Sequence, residues 1–164
     1  MRAPGLGHGS RPTLEGRVAP AADLEPALVE DLRRVADDAQ DLLDAERRAC
    51  LVHSDLNARN LLVDPDTLEV TGVLDWELAH SGLPWIDLGN LLRFERQPAL
   101  VEAVLAAYTE LMPTLPDDLL DRARAADLFA LVALAARRDA NDVVVRAREH
   151  LWAVARTGDL HTVP

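Results

Sequence analysis

Residues 50–77 read CLVHSDLNARNLLVDPDTLEVTGVLDWE. A loop carrying His53, Asp55 and Asn60 sits there between two short apolar runs, Cys50-Leu51-Val52 and Leu61-Leu62-Val63. Pro65-Asp66-Thr67 reads as a turn, and a third apolar run ends at Asp75. If strands 61–64 and 70–74 pair about a turn near Thr67 and Leu68, with Leu61 facing Leu74, then Asn60 faces Asp75. Residues paired across a hairpin lie about 5 Å apart. An amide oxygen and a carboxylate at that separation suit one hard cation. Mg²⁺ favours such sparse oxygen ligation, completed by water and phosphate. Asp55, five residues before Asn60, enters the same end of the hairpin. The expectation depends on register, because a one-residue slip turns side chains to the opposite face.

The elements that must position these residues are mostly helices. Leu28, Leu32, Val35, Ala39 and Leu42 recur at helical intervals and predict a helix over 24–48, with Asp23 as N-cap and Pro26 in the first turn. Helical spacing recurs over 87–95, 99–112, 117–138 and 141–156, and Pro113 and Pro116 separate two of these helices. Residues 1–22 carry four glycines and three prolines without helical or strand period, and read as a flexible leader. Gly5-Leu6-Gly7-His8-Gly9-Ser10 fails as a dinucleotide fingerprint, since Ser10 replaces the third glycine and no strand precedes it.

The 164 residues suit one domain with its own core, and the apolar fraction of 49% is that of a globular chain. Net charge is −11, which argues against nucleic-acid binding through a basic surface and favours cations as partners. All 17 basic residues are arginine, so Schiff-base chemistry and a Walker lysine are excluded. Cys50 is the only cysteine, no signal peptide is legible, and the longest apolar run, 128–136, is too short to span a bilayer. A cytoplasmic protein without membrane contact is expected. Cys50-x-x-His53 lacks two further zinc ligands, so Cys50 reads as buried. Trp76, Trp85 and Trp152 read as core anchors, with Trp85 a candidate border of an acceptor pocket. Asp117 and Asp118 read as helix-start residues.

His53-x-Asp55-x₄-Asn60, then Leu74-Asp75-Trp76-Glu77, then Gly82-x-Pro84-Trp85-x-Asp87-Leu88 together resemble the aminoglycoside phosphotransferase and choline-kinase-like enzymes, small-molecule relatives of protein kinases. The resemblance runs from about residue 24 to the end of the chain. It implies an α+β, mostly helical fold: a kinase-like C-terminal lobe over 23–164 with a small β-hairpin at its active edge. It implies that Asp55 is the catalytic base, that Asn60 and Asp75 ligate Mg²⁺ bridging ATP phosphates, and that His53 supports the loop. Glu77 is implied as a ligand to a second metal. Asp87 opens a helix, and a structural role accepting free backbone N–H groups is expected of it.

Three features depart from that family. Only 52 residues precede His53, too few for a β-rich N-terminal lobe, and there is no lysine to hold ATP phosphates. In the catalytic loop, Asn57-Ala58-Arg59 stands where relatives carry other residues. Three readings follow. In the first, the chain is part of an ATP- and Mg²⁺-dependent phosphotransferase acting on a hydroxyl of a small, aminated acceptor, with the nucleotide-clamping lobe supplied elsewhere. In the second, it is a non-catalytic small-molecule-binding or interaction module, a homodimer or part of a complex. The third, a metal-dependent phosphohydrolase, would need more ligands to activate water.

Overall fold

The computed structural model describes residues 26–112, 114–139 and 141–163. The leader expected over 1–22 and the cap expected at Asp23 lie outside the described residues. The order of elements is α1 (Pro26–Asp44), β1 (Cys50–Val52), β2 (Leu61–Val63), β3 (Val70–Val73), β4 (His80–Gly82), α2 (Ile86–Leu92), α3 (Pro98–Leu111), α4 (Leu119–Ala135) and α5 (Asp142–Thr157). Two short 3₁₀ turns, Ala58–Asn60 and Trp76–Leu78, flank the hairpin. The architecture is mostly helical with little strand. No helix among the described residues is long and apolar enough to cross a membrane.

The helices form because their apolar residues recur on one face. In α1, Val35 and Ala39 of the expected stripe are buried and Leu32 and Leu42 half-buried, while Leu43, outside that stripe, is buried where Leu42 was expected. The helix ends at Asp44, four residues before the expected boundary. Beyond it Glu46 turns its carboxylate onto the Arg47 and Arg48 N–H groups, at 2.9 and 2.7 Å, and binds the Arg48 side chain. These donors hold the Glu46 carboxyl down at about 2. In α5, Asn141 caps the first turn by accepting from Val144 N–H at 3.0 Å, and Gly158 ends it in the left-handed conformation, φ 69°. Val144, Ala147, Leu151 and Val154 form its buried stripe. Each large aliphatic side chain so buried contributes about 1.5–3 kcal/mol.

Helix α4 packs against α1, α2 and α5, so its burial is not confined to one stripe. Its small residues let backbones approach closely. A Cβ on Gly89 of α2 would lie 2.2 Å from the Ala123 carbonyl oxygen of α4. The α2–α4 contact also holds charge. Arg93 donates to both oxygens of Asp127, at 2.7–3.1 Å, and to Asn90 Oδ1 at 2.5 Å. Burial pushes the Asp127 carboxyl up, and Arg93 opposes that shift. Arg124 donates to the carbonyls of Leu92 and Glu95, and Arg96 donates to the same two carbonyls. The end of α2 is thereby capped by arginine side chains.

The strands form two separate antiparallel pairs. The expected hairpin is present as β2–β3, but its register differs. Leu61 faces Val73 and Leu62 faces Gly72, and past an irregularity Val63 faces Val70. Asn60 therefore stands opposite Leu74, whose N–H donates to the Asn60 carbonyl at 2.8 Å, and not opposite Asp75. The turn closes earlier than expected, with Asp64 N–H on Glu69 O at 2.9 Å. Thr71 is the extra residue of a bulge, its hydroxyl donating to Leu62 O at 3.3 Å. The second pair, β1–β4, matches Cys50 with Gly82 and Val52 with His80; residues 80–82 carry no apolar alternation from which β4 could be read. Cys50 is exposed, contrary to its expected burial, because it sits at the open end of this edge pair.

Gly89→Ala is expected to destabilise the chain by about 2 kcal/mol, since the added methyl meets a backbone carbonyl and not a flexible side chain; urea unfolding measures it. His150 of α5, only 3% exposed, accepts from Arg96 at 2.9 Å and is held down at about 4 by burial and by Arg96, Arg124 and Arg146. The unfolded chain, with an ordinary histidine near 6.5, then binds the proton first. Stability from this group is full above pH ~6.5 and is lost as pH falls towards about 4, by up to ~3 kcal/mol. His150→Phe is expected to flatten that part of the stability–pH curve.

Candidate active site

The β1–β4 pair fixes both ends of the site. Strand β1 runs directly into the loop 53–60, and β4 runs through Pro84 and Trp85 into α2. The first turn of α2 therefore lies beneath the loop, and Asp87 projects from it. Asp87 Oδ2 accepts from His53 N–H and Oδ1 from Ser54 N–H, both at 2.8 Å. The expectation of a structural role for Asp87 is met with different partners: it holds the loop's amides rather than those of its own helix. Bonds from N–H to a carboxylate are charge-assisted, worth about 1.5–3 kcal/mol each. The clasp holds Ser54 at φ 67°, a left-handed conformation that a non-glycine residue adopts at a cost of about 1–2 kcal/mol.

His53 is 2% exposed and joins the loop to the segment before Asp75. Its Nδ1 accepts from Asp55 N–H at 3.3 Å, so its Nε2 carries the proton and donates to Leu74 O at 2.6 Å. The ring meets Trp76 edge-on, with centroids 4.8 Å apart. Trp76 is 49% exposed, a correction to its expected place in the core; it covers His53, and its Nε1–H donates to Val73 O at 2.9 Å. Trp85 is fully buried, with the Arg48 guanidinium 5.2 Å from its ring centre.

Asp55 is half-buried. Two asparagines hold it: Asn57 Nδ2 and Asn60 Nδ2 donate to its carbonyl at 2.9 and 2.8 Å, and Asn60 Nδ2 also lies 3.2 Å from Asp55 Oδ2. Asn57 further caps the 3₁₀ turn by accepting from Arg59 N–H. Asp55 Oδ1 makes no hydrogen bond among the described residues. The amide orientation that serves Asp55 leaves Asn60 Oδ1 without a hydrogen-bond donor there too. Asp75 adopts φ 66° and ψ 55°, and its carboxylate does not cap the 3₁₀ turn that follows. Glu77 lies in that turn, exposed. The structure thus links His53, Asp55 and Asn60 by direct hydrogen bonds, and reaches the segment of Asp75 through His53 and Leu74. Glu77 is linked to none of them.

Asn60 Oδ1 and the Asp75 carboxylate are oxygens of the kind a hard cation takes, and neither is hydrogen-bonded among the described residues, but the register does not set them opposite one another. Among the described residues no group of three or more His, Cys, Asp or Glu side chains is gathered to hold a metal by itself. Sequence reasoning missed the Leu74 carbonyl as the His53 partner, and missed Asn57 as a loop fastener. Backbone acceptors leave no trace in residue types, whereas the paired asparagines two and five residues after Asp55 were a readable signal. Arg59 is exposed, as a surface arginine is.

The family model described as "Phosphotransferase enzyme family" matches residues 8–128. Among curated proteins, mouse "Acyl-CoA dehydrogenase family member 11" is 39% identical over 59 residues, 36% of this chain and 8% of its own. The rat protein of that name is 40% identical over 55 residues, 34% of this chain and 7% of its own. Mouse "Acyl-CoA dehydrogenase family member 10" is 44% identical over 46 residues, 28% and 4% respectively. The matched stretch spans less than a tenth of the length of these relatives. No solved structure gives a significant match.

Asp87→Asn keeps the size of the clasp and removes its charge. Amide exchange at His53 and Ser54 is expected to speed up by about tenfold to a hundredfold, with the helices unchanged. Unchanged exchange at those two amides would show that the clasp does not hold the loop.

Proposed function

Because the chain belongs to the phosphotransferase enzyme family, we propose that it carries the catalytic loop of an ATP- and Mg²⁺-dependent transfer of a phosphoryl group to a hydroxyl of a small molecule. The observation that carries the reading is the clasped loop: Asp55 is fixed through its backbone from three sides while Oδ1 of its carboxylate stays free. In this reading Asp55 orients the acceptor hydroxyl and takes its proton. The acceptor oxygen bonds to the γ-phosphorus as the bond to the bridging oxygen breaks, and ADP departs. Asn60 and Asp75 would hold Mg²⁺, which neutralises phosphate charge when bound, and Glu77 would reach a second ion. His53 positions the loop against the Asp75 segment and does not react. A net charge of −11 favours an aminated acceptor.

Phosphates are gripped from two sides in such chemistry, and the chain has no lysine for the second grip. Leu62, Leu68, Val70, Leu74, Trp76 and Leu78 are all more than 45% exposed beside the site. We propose that this face is covered by the nucleotide-gripping part, supplied from outside these residues, in a cytoplasmic enzyme. The same exposed face favours the second reading, an interaction module, if transfer is absent.

The test is transfer of the γ-phosphoryl group from radiolabelled Mg-ATP to a panel of hydroxylated amines. Asp55→Asn is expected to lower kcat by about 10²–10⁴-fold with little change in KM for ATP. Asp75→Asn is expected to raise the Mg²⁺ concentration needed for half-maximal rate. Full activity in Asp55→Asn would rule out its role as base.

A further inference from the structure

We propose that the cavity beneath α4 and α5 is a binding site for a single monatomic anion, of which chloride is the abundant example. The cavity is lined by Arg96, Arg124, Asp127, Leu128, His150 and Leu160, and has room for one particle of about the size of a water molecule. It lies apart from the loop 53–60 and shares no lining residue with it. Two of its lining side chains are more than nine-tenths buried and carry an unpartnered nitrogen, Arg124 Nε and His150 Nδ1. Both are donors. Arg124 Nε always carries hydrogen. His150 Nε2 accepts from Arg96 at 2.9 Å, so in the neutral ring Nδ1 carries the proton.

The chemistry of the lining selects an occupant that only accepts. Buried donors left unpaired cost about 1–3 kcal/mol each, so a partner is expected for them. A water satisfies both donors but brings two hydrogens of its own, and the carboxylate of the lining, Asp127, already accepts three bonds from Arg93. A halide brings none. Charge points the same way. Arg93, Arg96, Arg124 and Arg146 face this region, against Asp127, Glu95 and Asp159, an excess of one positive charge. Burial lowers the affinity of both Arg96 and Arg124 for their protons, the state an enclosed anion would relieve. Phosphate is too large for the space.

Such an ion would tie the fold together where three segments meet. Arg124 and His150 belong to α4 and α5, and Leu160 to the segment after α5, which is held by Arg96 on Thr162 O at 3.4 Å and by His161 on Asp121 at 2.6 Å. The test is thermal unfolding of the full chain in sodium chloride or bromide against sodium gluconate of equal ionic strength. It is paired with anomalous diffraction from bromide-soaked crystals. Chloride and bromide are expected to raise Tm saturably and gluconate not. Bromide is expected to give a peak beside Arg124 Nε and His150 Nδ1. His150→Phe keeps the ring packing and removes one donor, and is expected to weaken the apparent halide affinity about tenfold. Superimposed chloride and gluconate curves, or a cavity without a bromide peak, would overturn the proposal and leave water as the occupant.

Discussion

One carboxylate holds the site together. Asp87 receives the N–H groups of His53 and Ser54 at 2.8 Å each, and so fixes the start of the loop that carries Asp55. Without it, the left-handed turn at Ser54 would relax towards commoner backbone angles, and Asp55 would lose the origin from which its position is set. The remaining fasteners act further along the same loop. His53 ties its own loop to Leu74, and Asn57 and Asn60 tie its far end back to Asp55. Each uses a side chain to hold backbone, and although Asn60 also reaches Asp55 Oδ2, Oδ1 of the Asp55 carboxylate is left without a hydrogen bond among the described residues.

The clasp is only as rigid as helix α2, a helix of 7 residues too short to be stable alone. Its stability comes from α4. Gly89 lets α2 lie against the Ala123 carbonyl, and Arg93 on Asp127 and Arg124 on Leu92 and Glu95 secure its last turn. A buried ion pair is a weak source of net stability but a strong source of fixed geometry, because removing either partner strands a charge. Here the geometry fixed is that of α2, and through Asp87 that of the loop.

Much of this was legible in residue order. Periodic leucines, valines and alanines marked the helices, and His53, Asp55, Asn60 and Asp75 marked the loop and hairpin, because those patterns are local. The hairpin register was not local. It was decided by a turn that closes at Asp64–Glu69 and by the Thr71 bulge, and neither follows from alternation of apolar residues. Strand β4, His80–Gly82, had no apolar pattern because it is an exposed edge pair held by backbone hydrogen bonds. Trp76 was misplaced in the core for a related reason: a large aromatic beside a buried histidine packs as well on the surface of the site as beneath it. The arginine-rich floor between α2, α4 and α5 gave no sequence signal, since its members are scattered over 93–150.

The most direct test of the account is a calorimetric titration of the chain with Mg-ATP, repeated on Asp75→Asn and on the Asp87→Asn variant. Weak heat of binding is expected in the parent chain, since the second phosphate grip is proposed to lie outside these residues, with its loss in Asp75→Asn and its reduction in Asp87→Asn, because one variant removes a proposed ligand and the other loosens the loop that carries Asp55. Equal binding by all three folded proteins would contradict it, and would place any nucleotide away from the clasped loop.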